Sequence, residues 1–302
     1  VGFVMSGHTA EATQFFGSTK PNNKPLNDFD EPLGIGRSLE MEEFGLLKHE
    51  AMAGGMWGID GGSVPTDMVL WLKADSLSHL ADGASISSWE DVSGNGHVFS
   101  QGTSSAKPTF RAADSDFNNQ PIVDCDGSDQ LIGSYSAQLN PAEFTLFCVA
   151  ASDTDDNSYQ GIIESRSSTP VARSGYNIYA KWSGSDQWSF WHGKDSAWGQ
   201  LNSNAGELTT NTPDIITAIM SGTNGIGGSG TQKLRINGTQ HATSTSVFYA
   251  STADGGTIGN VPSTFYLEGQ IAEIIMYDRS LTDDEIALVE DYLGRKYAIS
   301  GP

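Results

Sequence analysis

Four of the chain's seven tryptophans fall inside one stretch, "KWSGSDQWSFWHGKDSAWG" (181–199). Indole rings with polar neighbours suit two tasks, stacking on sugar rings and anchoring protein interfaces. In a strand, alternation puts Trp188 and Phe190 on one face and Ser189 and Trp191 on the other. The first pair supplies the apolar face that a sandwich strand needs. Trp182, Trp191 and Trp198, with His192 beside them, are left as candidate contacts for a glycan or a protein partner.

Carboxylates offer less. Cleaving a glycosidic bond needs two acids flanking the bond, which on one strand face means a spacing of two or four. Glu273 and Asp278 are five apart and face opposite ways, and Asp283 and Glu285 read as dipole-favoured acids at a helix start. The six histidines come with no G-x-S-x-G turn, so solvated loop histidines are expected rather than a hydrolase triad. Cys125 and Cys148 lie in the apolar runs "PIVDC" and "FTLFCVA", and read as inert core thiols, with a disulfide as the alternative. The chain is accordingly read as non-enzymatic.

The charge excludes other classes. Sixteen Lys and Arg stand against 37 Asp and Glu, a net −21, the wrong sign for nucleic acid or anionic membranes. No run approaches 18 apolar residues, so no membrane insertion is expected. The first residues lack a basic segment followed by an apolar one, so no secretory signal is expected there.

The elements that must position these residues begin near residue 67. Residues 1–66 are rich in Gly, Asn, Pro and Met and read as an extended arm, with a short helix at 38–53 capped by Ser38. Such an arm cannot bury its own apolar residues. Phe15, Phe16, Phe29, Phe44, Leu47 and Trp57 are therefore expected to pack on neighbouring subunits. From 67 to 302, short apolar or alternating runs recur between turn residues, the pattern of an antiparallel β-sandwich. The run "GQIAEIIMYD" alternates too little for a wet face and reads as a central strand. "INGTQ" places Asn237-Gly238 in a hairpin turn. Near the end, Thr282 and Glu285 form a capping box for a helix whose buried stripe is Ile286, Val289 and Leu293.

The ordered phrases "LWLKADS", "ISSWEDVSGNGHVFSQ", "NNQPIVDCDGSDQL", "FTLFCVAA", "LRINGTQ" and "LEGQIAEIIMYDRSLTDDEIALVEDYLGRKY" resemble laminin-G-like, concanavalin A-like jelly-roll domains. Such domains occur in bacterial surface proteins and phage structural proteins. The resemblance spans about 67–299. It implies an all-β antiparallel sandwich with one C-terminal helix, and it leaves the arm unexplained. Relatives of this fold often hold Ca²⁺ at an acidic loop. "SDTDDN" offers Asp153, Asp155 and Asp156 for it, and "DCDGSD" offers Asp124, Asp126 and Asp129.

The expected function is a structural display protein of a virion, a capsid decoration or tail-fibre component. Its arm would join the jelly roll to protein subunits of a larger assembly, as a homo-oligomer, and its outward face would meet a surface glycan. The alternative is a secreted or cell-surface carbohydrate-binding or adhesion module of a bacterium. A polysaccharide-degrading enzyme lacks its carboxylate pair.

Overall fold

The computed structural model describes residues 64–301 except 156, 183, 223, 224, 226 and 262–264. The chain divides into two units, Val1–Gly55 and Met56–Pro302, and the described residues belong to the second. The predicted 38–53 helix and the arm contacts Phe15, Phe16, Phe29, Phe44, Leu47 and Trp57 lie outside the described residues.

Among the described residues eighteen strands and one α-helix follow in order. The first nine are β1 (Leu70–Lys73), β2 (Ser88–Glu90), β3 (Val98–Ser100), β4 (Thr109–Asp114), β5 (Gln120–Asp126), β6 (Leu131–Gly133), β7 (Phe144–Ser152), β8 (Tyr159–Glu164) and β9 (Tyr176–Lys181). Then come β10 (Gln187–Gly193), β11 (Trp198–Asn202), β12 (Asp214–Ser221), β13 (Ser229–Ile236), β14 (Thr239–Val247), β15 (Thr257–Ile258), β16 (Asn260–Val261), β17 (Phe265–Tyr266) and β18 (Glu268–Tyr277). One α-helix, α1 (Asp283–Tyr297), closes the domain.

The strands form two eight-stranded antiparallel sheets. The first runs β14-β13-β12-β7-β18-β5-β4, with β1 also on β18, and the second runs β11-β10-β9-β8-β15-β6-β3-β2. Strands β16 and β17 make a separate hairpin. Between the sheets lies the main core, which includes Trp89, Phe99, Phe144, Leu146, Ile178, Trp188, Phe190, Ile216 and Ile274. Stacking of two apolar faces with alternating side chains is what holds such a sandwich together.

The first sheet is buried on its other face as well. Phe147, Val149, Ile215, Ile219, Ile275 and Tyr277 pack with Ile286, Val289, Leu293 and Tyr297 of α1 in a second core. This double burial is why β7 and β18 read as apolar runs without alternation. The helix begins with the expected capping box: Glu285 N–H donates to the Thr282 hydroxyl, and Thr282 N–H donates to the Glu285 carboxylate. Asn237 and Gly238 both adopt positive φ, 47° and 79°, in the two-residue turn between β13 and β14.

Buried charges on the first sheet are fully engaged. Glu273 of β18 is 1% exposed and accepts hydrogen bonds from Trp71 Nε1 (2.6 Å), Tyr297 Oη (2.8 Å), Lys296 Nζ (2.7 Å) and Tyr292 Oη (3.1 Å). Glu290 of α1 is paired twice by Arg235 of β13, at 2.9 and 2.8 Å, and by Thr217 at 2.9 Å. These groups lock the helix onto the sheet. Cys125 and Cys148 are buried free thiols, and burial raises both above the ordinary thiol range.

Candidate ligand-binding face

The second sheet has a different outer face. Strand registers align one residue from each of its strands in a single row: Ser88, Ser100, Ile132, Thr257, Glu164, Asn177, Trp191 and Gln200. Residues directly opposed across antiparallel strands share a face. The intervening side chains, such as Phe99, Leu131, Ile163, Ile178, Phe190 and Leu201, point into the main core. The row therefore marks the face turned away from it.

Aromatic side chains cluster on this face. The Trp191 ring lies 5.5 Å from Tyr159 and 5.3 Å from Tyr179, near edge-on to both. Phe265 of the β16–β17 hairpin lies 5.7 Å from Tyr159 and 5.9 Å from Tyr179. The hairpin comes this close because β8 carries Gly161, where a Cβ would fall 2.5 Å from Val261 Cγ2. Trp191 Nε1 donates to Ser189 Oγ, its neighbour two positions back on the same face (2.8 Å). Trp191, Tyr159 and Phe265 are all partly exposed.

In the middle of the row sit a carboxyl and an amide. Glu164 and Asn177 are 1% and 0% exposed. Glu164 Oε2 accepts the backbone N–H of Arg166. Among the described residues Oδ1 and Nδ2 of Asn177 have no hydrogen-bond partner, and Oε1 of Glu164 has no donor at good geometry, the Thr257 hydroxyl across the strand pair acting on the carboxyl only weakly. Burial, helped by the charge of Asp254, pushes Glu164 up to about 7, against the pull of the Arg166 amide, the Thr257 hydroxyl and the Arg166 charge.

Trp198 faces the same way as Trp191, being paired with Gly193 one step along β10. The Arg166 guanidinium lies over its indole, 4.6 Å from the ring centroid, and Nη1 donates to Tyr179 Oη at 3.2 Å. Arg166, Ser167, Ser168, Ala172, Arg173, Trp198 and Asp254 line a recess of about 610 Å³. Its loop is closed by reciprocal backbone hydrogen bonds between Ser167 and Ser174, both 3.0 Å. Gly175 follows at φ 86°, where a Cβ would sit 1.6 Å from the Ser165 carbonyl oxygen, so only glycine fits.

The alternation read from "QWSFWHG" is the observed one, with Trp188 and Phe190 inside and Ser189 and Trp191 outside. Two expected surface contacts are corrected. Trp182 is buried at 4% exposure, and its Nε1 donates to Ser152 Oγ at 2.8 Å. His192 is 1% exposed and points between the sheets, with Nε2 2.7 Å from Ser246 Oγ of β14. It is a strand residue rather than a loop one, and burial pulls its pKa down to about 4. His241 is likewise sheltered and accepts the Asn204 N–H.

The described residues of the acidic loop do not assemble into a cation cage. Asp153 Oδ2 takes the Gln270 amide at 2.6 Å, and the exposed Asp155 accepts the Asn157 N–H within its own turn. Asp156 lies outside the described residues. In "DCDGSD", Asp129 Oδ2 takes the Asp126 N–H, and Asp126 holds Ser128. Among the described residues no three His, Cys, Asp or Glu side chains converge as ligands. The described side chains, with Asp153 Oδ1 buried and without a donor, fall short of the six to eight oxygens that Ca²⁺ wants.

Sequence reading passed over Tyr159, Glu164, Arg166, Arg173, Asn177, Tyr179 and Phe265. The phrase "YNIYAK" held a usable signal, since alternation sets Asn177 and Tyr179 opposite Tyr176 and Ile178.

Comparison with known proteins accords with this architecture. Residues 126–287, more than half of the chain, match the concanavalin A-like lectin/glucanases superfamily in its laminin G-type form. The chain belongs to that superfamily. The binding domain of Paraclostridial Mosquitocidal Protein 1 is similar at 12% identity and TM-score 0.53, over 74% of this chain and 52% of that one. Botulinum neurotoxin serotype D binding domain is similar at 15% identity and TM-score 0.52, over 76% and 51%. Trypanosoma rangeli sialidase is similar at 15% identity and TM-score 0.53, over 86% of this chain and 39% of that one. The chain thus spans about half the length of the two toxin domains, and less of the sialidase. No curated protein sequence matches. Among the described residues, no helix is long and apolar enough to cross a membrane.

Proposed function

We propose that the domain is a non-catalytic glycan-binding module that presents the outer face of its second sheet to a cell-surface saccharide. One observation carries this reading: a cluster of Tyr159, Tyr179, Trp191 and Phe265 on the sheet face that α1 does not cover. Partly exposed aromatic rings provide apolar faces for sugar rings, and polar groups beside them fix orientation. Unpartnered polar groups such as those of Glu164 and Asn177 cost about 1–3 kcal/mol each when buried. A face kept at that cost is a better candidate for recognition than for packing. Catalysis receives no comparable support: Glu273 is saturated with donors, and Asp278 is exposed beyond the end of β18.

The setting we infer is a displayed one, a virion decoration or tail-fibre protein, with residues 1–66 joining the domain to an assembly. The acidic net charge and the length of that segment support it. A secreted bacterial adhesion module is the other setting with the same binding face.

A glycan array probed with the full chain tests the function. Binding to a defined saccharide set, lost in Trp191→Ala while the fold persists, is the expected result. No binding to any saccharide contradicts the reading. Light scattering on the full chain and on residues 67–302 tests the setting, with assembly expected only for the full chain.

A further inference from the structure

Six arginines lie among the described residues, and four of them pair with carboxylates. Arg111 meets Asp124, Arg235 meets Glu290, Arg279 meets Asp67 and Glu285, and Arg295 meets Asp291. Among the described residues Arg166 and Arg173 form no such pair, in a chain where acids outnumber bases by 37 to 16. Both of them line the recess beside Trp198. In so acidic a protein, two guanidiniums against one lining carboxylate, Asp254, with Glu164 acting on Arg166 through space, leave the recess without the excess of negative charge carried by the chain.

The hydrogen bonds of each go to neutral oxygens and leave donors over. Arg166 is stacked on Trp198 and gives Nη1 to Tyr179 Oη. Arg173 gives Nη1 to the Ser196 carbonyl at 2.6 Å. A guanidinium presents five N–H donors in a planar fork that matches carboxylate and sulfate oxygens. Stacking on indole fixes that fork before any ligand arrives. Ser167 and Ser168 add hydroxyls to the lining. The carboxylate in the same lining, Asp254, accepts the Gly256 N–H on Oδ1 at 3.2 Å.

We propose that this recess is an anion subsite that selects saccharides carrying a carboxylate or sulfate, with Arg166 and Arg173 gripping the charged group beside the Trp198 indole. This rests on the glycan-binding reading of the adjoining aromatic cluster. Arg166 joins the two regions through Tyr179, so one saccharide chain can occupy both.

Calorimetric titration of the full chain with four probes tests it: a neutral oligosaccharide, its uronate-bearing counterpart, its sulfated counterpart and inorganic sulfate. The variants are Arg173→Gln, at an exposed position, Arg166→Gln, and Arg111→Gln as a control remote from the recess. Thermal unfolding establishes that each is folded. The expected result is tighter binding of one or both charged oligosaccharides, weakened about tenfold or more by Arg173→Gln and Arg166→Gln but not by Arg111→Gln. The favoured charged probe tells carboxylate from sulfate selection. Equal binding of neutral and charged oligosaccharides, indifferent to Arg173→Gln, overturns the anion subsite and leaves the glycan reading standing. No oligosaccharide binding at all, whether or not free sulfate binds, overturns both.

Discussion

The two sheets carry buried carboxylates on their outer faces and treat them in opposite ways. Glu273, on the first sheet, accepts four hydrogen bonds beneath a helix that covers it. Glu164, on the second, has one oxygen on a backbone amide and, among the described residues, no donor at good geometry on the other. The arginines divide likewise: Arg235, on the helix-covered side, makes a two-pronged pair with Glu290, whereas among the described residues Arg166 and Arg173 make no ion pair with a carboxylate. Satisfied networks specify and rigidify a fold, and incompletely satisfied ones raise the question of what completes them. The difference teaches that the first sheet's outer face is built for stability, and it supports the proposed role of the second's in recognition.

That contrast is sharpest at the two glutamates. Glu273→Ala leaves Lys296, Tyr292, Tyr297 and Trp71 without their acceptor, and should destabilise the domain by about 3–5 kcal/mol in denaturant unfolding. Glu164→Gln should act in the other direction above neutral pH. The folded carboxyl has a pKa raised from 4.5 to about 7, so the folded state binds more protons than the unfolded state between those values. Stability contributed by Glu164 therefore falls as pH rises through that window and is lowest above 7. Removing the charge should recover up to roughly 3 kcal/mol at pH 8 and almost nothing at pH 4. Unfolding curves for both proteins at the two pH values read this directly. A Glu164→Gln domain that is much less stable at pH 8 would place this residue in the same class as Glu273.

His192 supplies a slope of opposite sign. Its pKa is lowered to about 4, so the unfolded state binds the extra proton, and stability is lost as pH falls from 6.5 toward 4. His192→Gln should flatten that acid limb while leaving the limb assigned to Glu164 in place.

Smaller effects test the binding side. Gly175→Ala forces a Cβ onto the Ser165 carbonyl at a left-handed φ. It should cost at least about 1 kcal/mol and disturb the Ser167–Ser174 closure of the recess. Trp191→Ala removes a partly exposed ring that packs on Tyr159 and Tyr179, so it should cost about 1–3 kcal/mol, leaving the domain folded, while saccharide binding is lost.

Much of the scaffold was legible in sequence because it rests on local rules. The Thr282–Glu285 box, the Asn237-Gly238 turn, the two-sided burial of β18 and the alternation of β10 each follow from adjacent residues. Strand β14, "TQHATSTSV", was missed because it is an edge strand with little apolar content and carries no period-two signal. The site was legible only in part. Trp191 stood out by type and alternation, but Trp182 and His192 look equally polar in sequence and lie inside. Nothing local joins Glu164 to Asn177 and Thr257, since that row exists only after three strands pair. Arg166 and Arg173 reach one recess only because the loop between them folds back through Ser167 and Ser174.

The central claim is that recognition belongs to the second sheet's outer face. Its most direct test is saccharide binding by the wild-type chain, by Trp191→Ala and by Tyr292→Phe, a conservative change on the helix-covered side. The account predicts that Trp191→Ala abolishes binding and Tyr292→Phe leaves it intact. Binding that survives Trp191→Ala and is lost in a folded Tyr292→Phe domain would contradict it.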